Sequence, residues 1–135
     1  MDVNINGKLF AINAFYRPPV KSADSHEKFI EVADKILSDL NKYNADTKII
    51  ASDFYFGNSY CKYPLLPPKP LDSSAPDLFA SYGFTQLIDI PTRTTNDTIS
   101  LIDLIFVSNT DNVQHHGTLP RIADHDGVFV DFFLF

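Results

Sequence analysis

Short apolar segments, separated by loops and by one amphipathic stretch, limit the folds that this chain can adopt. The first of these segments stops at a pair of prolines, which cannot donate to a sheet ladder, so it reads as a strand entering a loop. Between the first two segments, apolar residues recur at helical spacing with charged residues among them, which predicts a helix with its apolar stripe on a sheet. The predicted strands are 8–16, 47–54, 84–90, 101–108 and 128–135.

The rest of the chain is predicted to be loop, apart from one short helix at 75–82 that ends at a glycine. Four prolines crowd the loop at 57–72, and 92–100 reads as a turn or flexible loop rich in threonine. Residues 109–120 read as a loop with at most a short edge strand, and 124–127 as a polar turn. The order strand, helix, strand, helix and then strands predicts an α/β fold with mixed strand pairing.

The composition fits one globular domain. The chain has 135 residues, of which 44% are hydrophobic and 21% are charged. No stretch approaches the roughly 18 apolar residues that a spanning helix needs, and the first residues lack the features of a secretory signal. The single cysteine, Cys61, can form neither an internal disulfide nor a zinc cluster, which favours a reducing intracellular compartment, cytoplasmic or nuclear.

The net charge of −6 argues against strong sequence-independent binding to nucleic acid, because phosphate neutralisation requires a basic surface. An acidic balance is compatible with a site that collects carboxylates around a divalent metal. The charge alone does not favour a nucleic-acid enzyme.

Four polar residues stand at or beside apolar strands: Asp53, Asp103, Asp124 and His125. A carboxylate in such a position is costly to bury unless it meets a metal, a cation or hydrogen-bond donors. Strand-end carboxylates with a histidine are what a magnesium-assisted phosphoryl-transfer site requires. Each also has an ordinary structural interpretation: Asp53 as a turn cap, Asp103 as a satisfied core aspartate, and Asp124 with His125 as a hairpin turn.

Other polar residues carry weaker signals. Tyr16 and Arg17, at a strand end, could contact phosphate, although exposed aromatic and cationic residues are ordinary there. His115 and His116 are adjacent and would face opposite ways on a strand, so we expect both to be solvated. His26, in the first turn of the predicted helix, is expected at the surface. The chain has no phosphate-cradling glycine loop and no nucleophile elbow.

In order along the chain, four motifs resemble the apurinic-type endonuclease domains of non-LTR retrotransposons, members of the endonuclease/exonuclease/phosphatase family. AFYRPP resembles the family's AYRPP segment, and KIIASDFY is similar to the strand that ends in Gly-Asp-Phe-Asn. GFTQLIDIPTR with SLIDLIF closely resembles the block GF-QLI-PTR followed by SLIDLIF, and Ala-Asp-His matches the closing Ser-Asp-His. In this chain the motifs occupy 14–19, 48–55, 83–93 with 100–106, and 123–125.

The resemblance implies a divalent-metal phosphodiesterase, using Mg²⁺ or Mn²⁺, whose full form nicks target DNA ahead of reverse transcription. It implies that Asp53 orients or deprotonates the attacking water and that Asp124 belongs to the metal and water network. His125 would contact the scissile phosphate, and Asp103 would hold His125 through a hydrogen bond. Tyr16 would lie by the phosphate.

This chain departs from the family pattern in one motif. The family's Gly-Asp-Phe-Asn is Ser52-Asp53-Phe54-Tyr55 here, so Tyr55 stands where an asparagine helps to position the phosphate or the water. A phenol cannot replace the paired donor and acceptor of a carboxamide. We expect this change to reduce catalysis.

The second departure is an absence. The family fold is a four-layer α/β sandwich of two packed sheets, and its N-terminal half supplies an asparagine motif and a metal-binding glutamate. Nothing before Lys8 could hold them. The resemblance therefore implies that 1–135 is a single partial domain, the C-terminal half, with a mixed sheet and helices on one face. We expect weak metal binding and little or no nuclease activity from this chain alone.

Half of such a sandwich would leave an apolar sheet face in water. We expect either self-association through that face or a marginal fold. The functional alternatives are a retrotransposon-derived phosphodiesterase fragment, a non-catalytic interaction module, and a phosphatase of the same superfamily. The residues of the last strand that carry the exposure hazard are Phe129, Val130, Phe132, Phe133, Leu134 and Phe135.

Overall fold

The computed structural model describes residues 1–17, 23–54, 74–96 and 99–134. Within these ranges the chain forms two sheets and two helices. In chain order the elements are β1 (Asp2–Ile5), β2 (Lys8–Tyr16), α1 (Ala23–Lys42), β3 (Thr47–Asp53), α2 (Ser74–Ser81), β4 (Thr85–Gln86), β5 (Arg93–Thr94), β6 (Ile99–Ser100), β7 (Asp103–Val107), β8 (Val113–Ile122) and β9 (His125–Phe132).

The first sheet has the strand order β1-β2-β3-β7-β4. Strands β2 and β3 are parallel, and α1 provides the crossover that parallel neighbours require. The other pairs are antiparallel, so the sheet is mixed, as the sequence predicts. The predicted bounds of β2 are confirmed, and those of β3 and β7 agree apart from one to two terminal residues.

Strand β1 has no counterpart among the predicted strands. It joins β2 through a two-residue turn in which Asn6 and Gly7 have φ values of 52° and 80°. Positive φ at both central residues is the requirement of a type I′ hairpin turn, for which Asn-Gly is the preferred pair. The dipeptide between Ile5 and Lys8 was therefore a hairpin signal in the sequence.

Both helices lie on one face of the first sheet, where aromatic rings form the core. The ring of Phe79 on α2 stacks on that of Phe106 on β7 with centroids 4.3 Å apart, and it meets Phe15 on β2 edge-on at 6.0 Å. From α1, Leu37 is fully buried. This packing confirms the amphipathic helix and the short second helix. Neither helix in the described ranges combines the length and the apolar character that crossing a membrane requires.

The second sheet, of order β6-β5-β9-β8, covers part of the opposite face of the first sheet. Val128, Val130 and Phe132 alternate along β9 and pack against the main core. Phe132 meets Phe10 of β2 edge-on, with ring centroids 5.5 Å apart. Of the last-strand residues predicted to be exposed, Val130 and Phe132 are therefore partly buried, whereas Phe133 is 48% exposed. Phe135 lies outside the described residues.

One loop prediction was wrong and another was right only in part. The predicted loop at 92–100 contains β5 and β6. The edge strand allowed within 109–120 is present as β8, but it is longer than predicted. Strand β8 is exposed along most of its length, so it lacks the apolar alternation of a half-buried strand, and it is held by pairing with β9. Pro120 is tolerated because β8 is an edge strand.

Two further boundaries differ from the prediction. The polar turn predicted at 124–127 is confined to Ala123 and Asp124, because His125 already begins β9. Ala123 has a φ of 64°, which closes this tight turn. Within the predicted strand at 84–90, β4 covers only Thr85–Gln86, and the amide of Leu87 makes one more hydrogen bond, to the carbonyl of Ile105.

Candidate active site

Two carboxylates face each other where neighbouring strands of the first sheet end. Asp53 is the last residue of β3, and Asp103 is the first residue of β7. The two are directly opposite in the antiparallel register, so their side chains lie on the same face of the sheet. This is the face on which the second sheet packs. The side chain of Asp103 is only 18% exposed.

His125 meets these carboxylates from the second sheet. Its Nδ1 lies 2.8 Å from Oδ2 of Asp103, so the ring bridges the two sheets. The backbone beside it is fixed on both sides: the amide of Asp126 donates to the carbonyl of Thr92 at 2.6 Å, and the amide of Thr94 donates to that of Asp124 at 3.3 Å. The pairing of β5 with β9 therefore places the imidazole over Asp103.

Thr92 is a residue of this network that the sequence analysis treated as part of a loop. It is almost fully buried, and its Oγ1 donates to Oδ2 of Asp103 at 2.7 Å. The same oxygen accepts the backbone amide of Asp103 at 3.0 Å. Thr92 and His125 together satisfy the Asp103 carboxylate, which accounts for its burial in an apolar strand. The threonine in the Pro-Thr-Arg motif was the available sequence signal.

Asp124 lies beside the site but faces a different partner. Its Oδ2 accepts a hydrogen bond from Nε of Arg93 at 3.0 Å, and its Oδ1 lies 3.9 Å from Nε2 of His125. The Arg93 hydrogen bond is the main reason that the pKa of Asp124 lies below its ordinary value of 3.8. The carboxylate of Asp124 is therefore paired with the guanidinium of Arg93. The metal role that the resemblance implies for Asp124 stays a prediction.

A cleft of about 190 Å³ opens beside Asp53 and His125. Tyr16 is the register neighbour of Asp53 on the adjacent parallel strand, and it is 71% exposed at the cleft. Tyr55 lies outside the described residues. The cleft is lined by Tyr16, Arg17, Asp53, Phe54, Arg93, Ile102 and His125.

The remaining histidines lie away from this cluster. His26 is half-buried, with Nδ1 3.3 Å from Nη1 of Arg17, so its predicted surface position was wrong. The side chain of Arg17 partly covers His26. It also packs over the ring of Phe29, which lies on the same helix as His26. His115 and His116 are both exposed, as predicted, and His115 lies 3.6 Å from Asp131.

The ligand atoms of Asp53, Asp103 and His125 suit a divalent cation. One ligand atom from each residue lies within 4.8 Å of the others. Burial, and then the charge of Asp103, raise the pKa of Asp53 above its ordinary value of 3.8. A cation between the carboxylates would relieve this repulsion, and carboxylate oxygens are preferred ligands of Mg²⁺ and Mn²⁺. The donor set therefore fits the predicted metal.

Comparison with known proteins concerns the fold. No family model matches the chain, and no curated protein matches it in sequence. Among solved structures, an endonuclease/exonuclease/phosphatase family protein from Leptotrichia buccalis C-1013-b superimposes with a TM-score of 0.57 at 15% sequence identity. The match covers 98% of this chain and 52% of that protein, so the chain spans about half the length of its neighbour. The predicted fold class, a mixed α/β arrangement that matches half of the endonuclease/exonuclease/phosphatase fold, is confirmed.

Proposed function

We propose that this chain carries the C-terminal half of a metal-dependent phosphodiesterase site of the kind that nicks DNA in non-LTR retrotransposons. The observation that carries the proposal is the convergence of Asp53, Asp103 and His125 at one cleft from two different sheets. The likeness to a nuclease-type fold supports the reaction class, and the four sequence motifs support the retrotransposon kind.

Each residue then has a role that its surroundings permit. Asp53, with its raised pKa, is suited to accept a proton from the attacking water. His125 faces the scissile phosphate with its Nε2, while the hydrogen bond to Asp103 fixes the tautomer and the plane of the ring. Tyr16 lies where it can contact the phosphate or an adjoining sugar.

A divalent metal held by the carboxylates of Asp53 and Asp103 would supply positive charge to the phosphate oxygens, while both nitrogens of His125 keep the roles given above. Asp124 enters this proposal through the metal and water network that the resemblance implies. We propose Mg²⁺ or Mn²⁺, weakly bound, because the cluster among the described residues offers two carboxylates to the metal.

The test is nicking of supercoiled plasmid by the purified chain during titration with Mg²⁺ and Mn²⁺. We expect weak or no activity from this chain alone, and any activity should depend on metal and vanish in His125→Ala. His116→Ala is the matched control, since His116 is exposed on β8 away from the cleft. Nicking that persists in His125→Ala or without metal would contradict the proposed site.

The alternative is a non-catalytic interaction module that keeps the fold. It is favoured by the chain's span of about half its neighbour and by exposed apolar side chains such as Ile122, which is 88% exposed. Such surfaces also support the proposal of self-association through an uncovered sheet face. Absence of nicking from a folded sample would favour this alternative. Sizing by light scattering would test self-association, and a monomer at all concentrations would contradict it.

A further inference from the structure

Arg93 is, with Arg17, one of two arginines that line the cleft and have no role in the proposed chemistry. It is paired directly with His125 across β5 and β9, so the two side chains lie on the same face of the second sheet. The guanidinium lines the cleft and is 33% exposed. A long cationic side chain is thus held beside the imidazole and remains open to a ligand.

The cleft presents an electrostatic difficulty for any phosphate ligand. Asp53 lines the cleft and faces Asp103 in the strand register, and Asp124 is paired with Arg93, which also lines the cleft. An anion entering the cleft meets these carboxylates, so it requires a fixed cation that points toward it.

Asp124 orients the guanidinium of Arg93 and uses only one of its hydrogen-bond donors. Arginine has five N–H donors in a rigid fork, and the bond to Asp124 uses the one on Nε. The backbone on either side of Arg93 is also held, because Thr92 and Thr94 are hydrogen-bonded to the 124–126 segment. The Nη groups are the donors that match two oxygens of a phosphate.

We infer that Arg93 binds a phosphate oxyanion in this cleft, with Asp124 positioning its guanidinium. The inference rests on the proposed function and deepens it, since it names the group that holds the phosphodiester against His125. In this inference Asp124 acts by positioning Arg93, whereas the resemblance implies a metal role for Asp124.

The experiment is an NMR titration of the full chain, without metal, using inorganic phosphate and then dimethyl phosphate as probes. The signals followed are the Nε–H of Arg93 and the ring of His125. We expect saturable shifts, and an affinity that falls about tenfold or more in Arg93→Gln, because a charge-assisted hydrogen bond is lost. Arg93→Lys should lie between the two, since lysine keeps the charge but not the paired donors.

Arg121→Gln is the matched control, because it removes one exposed positive charge from β8 and is expected to leave the affinity unchanged. The Nε–H signal of Arg93 should be protected from exchange and should lose that protection in Asp124→Asn, with recovery in Asp124→Glu. Thermal melts check that each variant is folded. If Arg93→Gln is not folded, Arg93→Lys is the variant compared with the unmodified chain.

Two results would overturn the inference: no saturable shift in the unmodified chain, or equal phosphate affinity in Arg93→Gln. Equal protection of the Nε–H in Asp124→Asn would overturn the positioning role of Asp124. Binding of inorganic phosphate but not dimethyl phosphate would support Arg93 as the ligand while counting against a phosphodiesterase. Failure of the proposed function is thus distinguished from failure of this inference.

Discussion

Asp103 organises the candidate site at the scale of single residues. Its carboxylate receives hydrogen bonds from Thr92 and contacts His125 within hydrogen-bonding distance, while its backbone amide donates back to the threonine hydroxyl. A carboxylate that is mostly buried among apolar residues is stable only with such partners. The same partners that make its burial tolerable also orient the imidazole, so stability and function share these contacts.

Thr92→Val tests this coupling on the side of stability. Valine has the shape of threonine but cannot donate to the Asp103 carboxylate or accept its backbone amide, so buried polar groups lose a partner. We expect the free energy of unfolding to fall by about 1–3 kcal/mol in urea denaturation. Thr92→Ser keeps the hydroxyl and should lose less. No loss of stability in Thr92→Val would contradict the prediction, because valine keeps the shape of threonine and lacks only the hydrogen bonds of its hydroxyl.

Asp53 predicts a dependence of stability on pH. Burial and Asp103 raise its folded-state pKa above 3.8, so ionisation opposes folding. This cost is absent at pH below 3.8, grows as pH rises through the folded pKa, and is complete above it. In metal-free solution at pH 7, Asp53→Asn should therefore be more stable, by less than about 1 kcal/mol because solvent screens the cleft.

Urea denaturation of both proteins at pH 7 and near pH 4 measures this effect. The advantage of Asp53→Asn should shrink at the lower pH. Asp39→Asn, a change at an exposed position of α1, is the control for removal of one negative charge. A variant that is less stable than the unmodified chain at pH 7 would contradict the predicted sign.

At the scale of elements, the site depends on how β9 is held against the first sheet. Strand β9 carries His125 at its first residue, and its apolar side chains pack on the core at Val128, Val130 and Phe132. The contact between Phe132 and Phe10 lies toward the far end of the strand from His125. The position of the imidazole is thus supported by packing along the whole strand.

Phe132→Ala should loosen this attachment. Loss of a partly buried ring and of its edge-on contact with Phe10 is expected to cost about 2 kcal/mol of unfolding free energy. Phe133→Ala is the matched control, because its side chain is 48% exposed and should lose less. Amide hydrogen exchange should show faster opening of β8 and β9 in Phe132→Ala. An equal effect of the two substitutions would mean that the alternating faces of β9 are assigned incorrectly.

At the scale of the whole molecule, charge limits how the chain can meet DNA. The net charge is −6, and carboxylates surround the cleft. Arg93 and a bound metal would act locally, whereas affinity for nucleic acid at distance requires a basic surface. The chain spans about half of its structural neighbour.

We therefore expect the chain alone, in EDTA at physiological salt, to bind a labelled DNA duplex more weakly than about 10⁻⁴ M. Fluorescence anisotropy measures this affinity, and Mn²⁺ should strengthen it in the unmodified chain more than in Asp53→Asn. Micromolar binding without metal would contradict the prediction and would indicate a local basic surface on a chain whose net charge is negative.

The sequence alone determined the parts of this protein that local patterns encode. The bounds of β2, the existence of α1, and the strands β3 and β7, to within one or two terminal residues, follow from apolar runs and helical spacing. These elements bury one or both faces, so the pattern of apolar residues within each element predicts its burial. The aspartates were nominated because a charge beside such a run requires a partner.

Only the tertiary structure decided what depends on distant pairing. Strand β8 is exposed along most of its length, so its own residues carry no pattern that distinguishes it from a loop, and it exists because β9 pairs with it. Thr92 and Arg93 enter the site for the same reason, since β5 meets β6 and β9 there. The contact between His125 and Asp103 joins two sheets, and no local sequence pattern specifies how two sheets pack.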